Sequence, residues 1–371
     1  MSENDPNIAT LSDALTAEPN GASRRSLLKG AGITTAAAAL LAACGGGSSG
    51  GSTASGAPKS SGAGNFVATP KWKFVFVNHV TTNPFFQATQ YGIQDACALL
   101  NVSYQWTGSE NSIVAQMVTA MNTAISGKAD GIAVALIDKT AFNAPTIAAE
   151  KAGIPVVSYN ADVTTNKRLA YIGQDLFVSG QQMGEKIAST LPANSKVAIF
   201  IATPGALNIQ PRADGATAAL KAANKGFQVK QVATGATLDP EQSVIDAFSQ
   251  GNKDYKGLYA VDAGSTQGVA NVMKKYNLKS QGVHGGGFDL LVPTENSIKA
   301  GILDFTIDQS PYLQGFLPIV YLYLYKLSGT LVSPAATDTG LKFITKSLVG
   351  PYLTSTNRFE GSSAKQQLIT Q

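Results

Sequence analysis

The chain is poor in charge, histidine and cysteine. Of its 371 residues only 14% are charged, and the formal charge is +4. That balance offers no basic face for a nucleic acid and no acidic tail. Cys44 and Cys97 are too few and too differently placed for a disulfide framework. Cys97 follows Ala96 in a helical pattern and reads as a small buried residue. The histidines are His79 and His284, and neither G-x-S-x-G nor H-E-x-x-H occurs, so no hydrolase nucleophile or zinc-peptidase signature is present. The triplet Gly285-Gly286-Gly287 lacks phosphate-loop spacing and a Lys-Ser or Lys-Thr pair, which excludes a nucleotide loop. No cofactor or metal is expected. Past the N-terminal segment no apolar run reaches spanning length; the stretch Tyr312–Leu327 is short and carries Gln314 and Lys326.

What is present begins with an address. Met1–Gly21 is polar and patternless. Ser23-Arg24-Arg25-Ser26-Leu27-Leu28-Lys29 then precedes an alanine-rich apolar run, Gly30–Ala43, and this pairing resembles a twin-arginine (Tat) export signal. The run ends Leu41-Ala42-Ala43-Cys44, which resembles a lipoprotein signal-peptidase site. Residues 1–43 are therefore expected to be a removable signal, with Cys44 lipidated. Residues 44–70 form a Gly/Ser-rich flexible linker, so the mature chain is expected outside the cytoplasm, anchored to a membrane rather than threaded through it.

The body alternates strand and helix. The run Phe74–Val77 reads as a buried strand. A polar loop follows, His79-Val80-Thr81-Thr82-Asn83, and a helix is expected from Pro84. Strands near 103–106, 131–136, 154–159 and 170–173 alternate with helices, and the alternation restarts at Val197 and runs to Ile307. The expected fold class is α/β: two doubly wound parallel-sheet lobes joined by a three-strand hinge. The expected lobes are 71–174 plus 310–344 and 175–309 plus 345–371. Ligands of such sheets sit beyond the carboxyl ends of the strands.

Five landmarks in order carry a resemblance. Asn83-Pro84-Phe85-Phe86 resembles the first-strand loop of the ribose-binding branch of periplasmic sugar-binding proteins. Val156–Asn160 falls at that branch's ligand-contacting strand end, and Arg212-Ala213-Asp214-Gly215 at its arginine-bearing helix start. Gly287-Phe288-Asp289 and Thr306–Pro311 match its later strand end and hinge. The chain is thus similar to a type I solute-binding protein of an ABC importer over about 72–345. The resemblance implies ligand contacts from Asn83, Phe85, Phe86 and Asn160 on the first lobe. It implies Arg212, Asp262 and Asp289 on the second and Gln309 at the hinge, with His79 and Asp162 as further candidates and Thr82 and Asn208 as weaker ones. Aromatic rings would clamp the sugar ring, while charged and amide groups bond its hydroxyls. Asn160 stands where the family has aspartate, Ala161 where it often has arginine, Leu238 where the ribose branch has an aromatic and Asp262 where it has asparagine. These departures direct the expectation from ribose toward another monosaccharide, a deoxy sugar or a polyol. The implied role is capture and delivery to an ABC permease by a monomeric protein that is not an enzyme. The competing expectations are an exported glycoside or nucleoside hydrolase using Asp262 and Asp289, and a ligand-binding component of a sensor system.

Overall fold

The structure is a computed structural model that describes residues 68–354. The expected signal, lipidation site Cys44 and nearly all of the linker lie outside the described residues.

The apolar run forms β1 (Lys73–Asn78), buried along its length after Lys73. A strand covered on both faces reads as a continuous hydrophobic run. It is followed by α1 (Phe86–Leu100), β2 (Ser103–Gly108), α2 (Val114–Ser126), β3 (Gly131–Val134), α3 (Asn143–Lys151), β4 (Val156–Tyr159) and β5 (Tyr171–Gly173). The chain then enters a second lobe of α4 (Leu176–Thr190), β6 (Lys196–Ile201), α5 (Gln210–Ala222), β7 (Gln228–Ala233), α6 (Leu238–Gly251), β8 (Tyr255–Ala260), α7 (Ala263–Lys275), β9 (His284–Phe288), α8 (Val292–Ala300) and β10 (Phe305–Asp308). It returns through α9 (Leu313–Ser328) and β11 (Ala336–Asp338) and ends in β12 (Lys342–Ile344) and α10 (Gly350–Thr354).

The sheets share one plan, β11-β5-β4-β3-β1-β2 and β12-β10-β9-β8-β6-β7. All described pairings are parallel except β10 with β12. That last pairing corrects the expected lobe boundary. Residues 342–344 belong to the second sheet, Thr306 lying opposite Ile344, so the third crossing falls near Thr339–Leu341 rather than after residue 344. The helix expected from Pro84 begins instead at Phe86, because Asn83 Oδ1 accepts from Phe85 N at 2.9 Å and holds a turn. The polar strand β11 was not legible in the sequence.

Asp175, directly after the first crossing, caps α4 by accepting from Val178 N at 3.0 Å. Helices α4 and α5 then approach closely. A Cβ on Gly180 would lie 2.1 Å from Arg212 O, and one on Gly215 2.2 Å from Phe177 O. This contact seats Arg212. Gly180→Val is expected to force the helices apart, costing roughly 1–3 kcal/mol as overpacking does. A thermal melt should show a fall of about 2–4 °C per kcal/mol.

Candidate ligand-binding site

In each lobe the strand order reverses at the first strand, β1 between β2 and β3, and β6 between β7 and β8. Loops leaving the carboxyl ends at such switch points face an open crevice. Here they converge on a cavity of about 40 Å³ between the lobes. Its lining includes the expected contacts other than Asp162 and the weaker candidate Thr82, which faces an outer space instead: His79, Asn83, Phe85, Phe86 and Asn160 from one side, Arg212, Asp262 and Asp289 from the other, and Gln309 at the hinge. Asn208, Ile209 and Ala263 complete it.

On the first lobe, Asn78 orders the loop. Its Oδ1 accepts from Val80 N at 2.8 Å and its Nδ2 donates to Tyr159 Oη at 2.9 Å. The Phe85 and Phe86 rings meet edge to face at 4.8 Å, and Trp106 backs Phe86 at 5.8 Å. Trp106 donates its indole N–H to Thr81 O at 3.1 Å, so it packs behind the site, and Trp72 packs on Tyr323. His79 is buried, and its pKa is lowered to about 4 by burial and then by the Arg212 charge, leaving it neutral at pH 7. The neutral ring can accept at Nε2 from Asn208 Nδ2, 3.0 Å away on the other lobe. Asn160 adopts φ 63°, a left-handed conformation that asparagine tolerates. Its Nδ2 donates to Gln314 Oε1 at 3.1 Å.

On the second lobe, Arg212 is 2% exposed and does not pair with Asp214 on the surface. Its guanidinium lies 4.2 Å over the Phe288 ring and donates to Val261 O at 3.2 Å and to Gln174 Oε1 at 3.3 Å. Burial lowers its pKa, against the opposing pull of Asp289. Asp289, at φ 76°, accepts from Gln309 Nε2 at 2.7 Å. Burial raises its pKa to about 7, with Arg212 opposing the rise.

Asp262 plays a different part. Its Oδ1 accepts from Ser265 N at 2.8 Å, capping α7, and its Oδ2 accepts from Ala202 N at 3.1 Å, tying the end of β6 to that helix. Behind it lies Glu241, 1% exposed, whose carboxyl is held well above the usual carboxylate range by burial and by the Asp262 charge. A protonated Glu241 donates to Asp262, so the oxygens of Asp262 are largely committed within the protein. Asp289 is not a helix cap, since α8 starts beyond Leu291.

Asp162 is the expected contact that the structure removes. It pairs with Arg168 at 2.6 Å and accepts from Ser158 Oγ at 2.7 Å, away from the cavity. A loop carboxylate six residues before an arginine found that partner instead. His284 starts β9 and bonds Asp304 at 2.9 Å.

One residue of the network escaped the sequence reading. Gln314 is fully buried and donates from Nε2 to Gln309 O at 3.1 Å and to Gln309 Oε1 at 3.0 Å, while accepting from Asn160. Thr339, at the third crossing, donates to Gln309 O at 2.8 Å, and Gln174, at the first, donates to Gly340 O at 3.1 Å. The three crossings and the site therefore share one chain of hydrogen bonds. The sole signal was a glutamine inside a Tyr/Leu-rich helix, and it read only as a polar interruption.

Direct contacts also join the lobes. Leu207 N donates to Ile137 O at 2.9 Å, and Ala263 and Leu291 pack into the first lobe's apolar cluster. Four cavity residues still carry a buried polar atom without a protein partner: His79 Nδ1, Asn160 Oδ1, Asn208 Oδ1 and Arg212 Nε. Such atoms cost free energy unless something bonds them. Among the described residues no cluster of His, Cys, Asp or Glu could hold a metal ion.

Comparison with known proteins agrees with this geometry. Residues 74–329 match the periplasmic binding protein domain. The xylose/arabinose-binding protein XylF of Sulfolobus acidocaldarius is 52% identical over 308 residues, covering 79% of this chain and 76% of that protein. The ribose import binding protein RbsB of Bacillus subtilis is 24% identical over 291 residues, covering 76% of this chain and 90% of its own. A solute-binding protein from Burkholderia graminis, solved with D-arabinose, is 25% identical with a TM-score of 0.70, covering 76% of this chain and 98% of that one. A carbohydrate transporter protein from Acidothermus cellulolyticus, solved with myo-inositol, is also 25% identical with a TM-score of 0.67, covering 76% and 96%. With its two-lobed type I architecture and inter-lobe site, the chain belongs to the periplasmic binding protein family.

Proposed function

We propose that the chain captures a monosaccharide or polyol between its lobes and delivers it to an ABC importer permease. The observation that carries this is the set of unpartnered buried donors and acceptors contributed by both lobes around one cavity, beside the Phe85/Phe86 pair. A sugar hydroxyl both donates and accepts, so one small ligand can satisfy an arginine N–H, two amide oxygens and a ring nitrogen together. The pentose named in the XylF relative and the arabinose bound by the Burkholderia protein make a pentose the first choice.

The cavity is lined from both lobes and bridged by contacts between them, so the lobes must part to admit a ligand and close again around it. Ligand contacts from both sides then add to the His79–Asn208 and Leu207–Ile137 contacts and favour the closed form, which the permease would recognise. Binding without turnover suits the site better than hydrolysis, because Asp262 is committed to backbone N–H groups and does not leave a free acid/base pair with Asp289.

A thermal-shift screen of pentoses, hexoses and polyols tests the reading. A ligand at about a hundred times its Kd should stabilise by roughly 2.7 kcal/mol. No shift from any sugar would contradict it. Affinity should also depend on pH through Asp289. Above about 7 its carboxylate accepts from ligand hydroxyls, and below that it is protonated. Affinity is thus expected to fall as pH drops below 7, by at most about tenfold per unit. Titration calorimetry at pH 5.5 and 8 should show the fall, and Asp289→Asn should abolish it.

Export and lipid anchoring at Cys44 belong to this proposal. Mass spectrometry of the membrane fraction should find a mature N-terminus at Cys44 carrying lipid, and Cys44→Ala should release the protein.

A further inference from the structure

The inner cavity is not the sole space between the lobes. A second chamber of about 280 Å³ lies at the cleft mouth, formed by Val80, Thr82, Asn83 and Pro84 of the first lobe and Thr237, Leu238 and Asp239 of the second. Asn83 lines both spaces and therefore stands at their junction. Its Oδ1 is committed to Phe85 N, which leaves its amide N–H groups for a ligand. Thr237 precedes α6 in the capping position, yet its hydroxyl makes no cap bond. Pro84 and Leu238 supply aliphatic surface, and Leu238 leans on the first lobe's apolar cluster. Asp239 is exposed and adds a carboxylate at the rim.

Hydroxyls, an amide and a carboxylate around aliphatic faces match one hydroxylated ring, and the carboxylate disfavours an anionic one. We propose that this chamber is a second subsite, which takes an uncharged hydroxylated unit covalently joined to the sugar held in the inner cavity. The ligand class is then a disaccharide, or a glycoside with a hydroxylated aglycone, as well as the free monosaccharide. The inference rests on the sugar reading of the inner site. The larger outer space gives an extended ligand somewhere to go, and the junction at Asn83 gives the linkage a donor.

The test is titration calorimetry of the full chain with D-xylose, L-arabinose and D-glucose, each against its homodisaccharide. At least one disaccharide should bind within about tenfold of its monosaccharide. Two variants narrow the chamber from opposite lobes, Leu238→Trp and Thr82→Trp. Thr82 is exposed, so the second serves even if the first disturbs lobe packing. Each should weaken the disaccharide by at least about tenfold by steric exclusion, and leave the monosaccharide within about twofold. Monosaccharide binding with no disaccharide binding, or equal weakening of both ligands in Thr82→Trp, would overturn the subsite alone. Failure of every sugar to bind would overturn the subsite and the sugar reading together.

Discussion

Arg212→Ala is expected to weaken sugar binding by about 30-fold to several thousand-fold, the 2–5 kcal/mol that truncating one member of a buried hydrogen-bonded charge cluster removes. The side chain is 2% exposed and has one unpartnered N–H, so its free donor has few uses other than a ligand. It also holds Gln174, which donates onward to Gly340 at the third crossing, so its loss reaches the hinge as well as the ligand. Arg212→Lys should not rescue binding. One ammonium cannot reproduce the planar fork that serves Val261 O, Gln174 Oε1 and a ligand together. Titration calorimetry on the purified variants checks this, with the thermal melt as a control for folding. A near-wild-type Kd in Arg212→Ala would place the ligand elsewhere.

Glu241→Gln is expected to stabilise the protein at neutral and alkaline pH. The carboxyl is buried, and the charge it faces is that of Asp262. Among the described residues no cation forms an ion pair with it. Its folded pKa is raised, so the stability of the neutral form is fully present below the ordinary carboxylate pKa. It is lost as pH rises toward the folded value, because the unfolded chain ionises first. Glutamine keeps the shape and the donor to Asp262 but cannot ionise. A gain of roughly 1–3 kcal/mol at pH 8 is expected, the scale of a buried polar group poorly satisfied. The gain should shrink toward pH 4, where the wild-type carboxyl is neutral in both states. Melts of both proteins from pH 4 to 9 read the ionisation of the Glu241–Asp262 pair, since titrating groups outside the pair, Asp289, Asp308 and His79 among them, cancel between the two proteins. A constant offset at every pH would show that ionisation of Glu241 plays no part.

Much of the architecture was legible because doubly wound sheets write themselves plainly. Strands buried on both faces, such as Phe74–Val77 and Val197–Ile201, are unbroken apolar runs, and the helices between them carry one apolar face. The third crossing was misplaced because pairing decides it. Lys342–Ile344 is a strand in either lobe by its residues, and only the antiparallel ladder with β10 assigns it to the second. The cleft residues were legible where a loop followed a recognisable strand, as at Asn83, Asn160 and Asp289.

What the sequence could not supply was partnership. Asp162 looked like an acceptor until Arg168 claimed it. Asp262 looked like a ligand acceptor as well, yet it caps α7, which begins at the very next residue. Gln314 sits far along the chain from Asn160, and its part in joining the cleft to the hinge is a fact of three-dimensional closure.

In the proposed function both lobes hold one sugar through the inter-lobe cavity. Titration calorimetry of the wild type, Arg212→Ala and Asn160→Ala with the best sugar of the screen tests it most directly. One site per chain is expected in the wild type, with a marked loss of affinity from a change on either lobe. Unchanged affinity in Asn160→Ala and Arg212→Ala, with a sugar still binding the wild type, would contradict it.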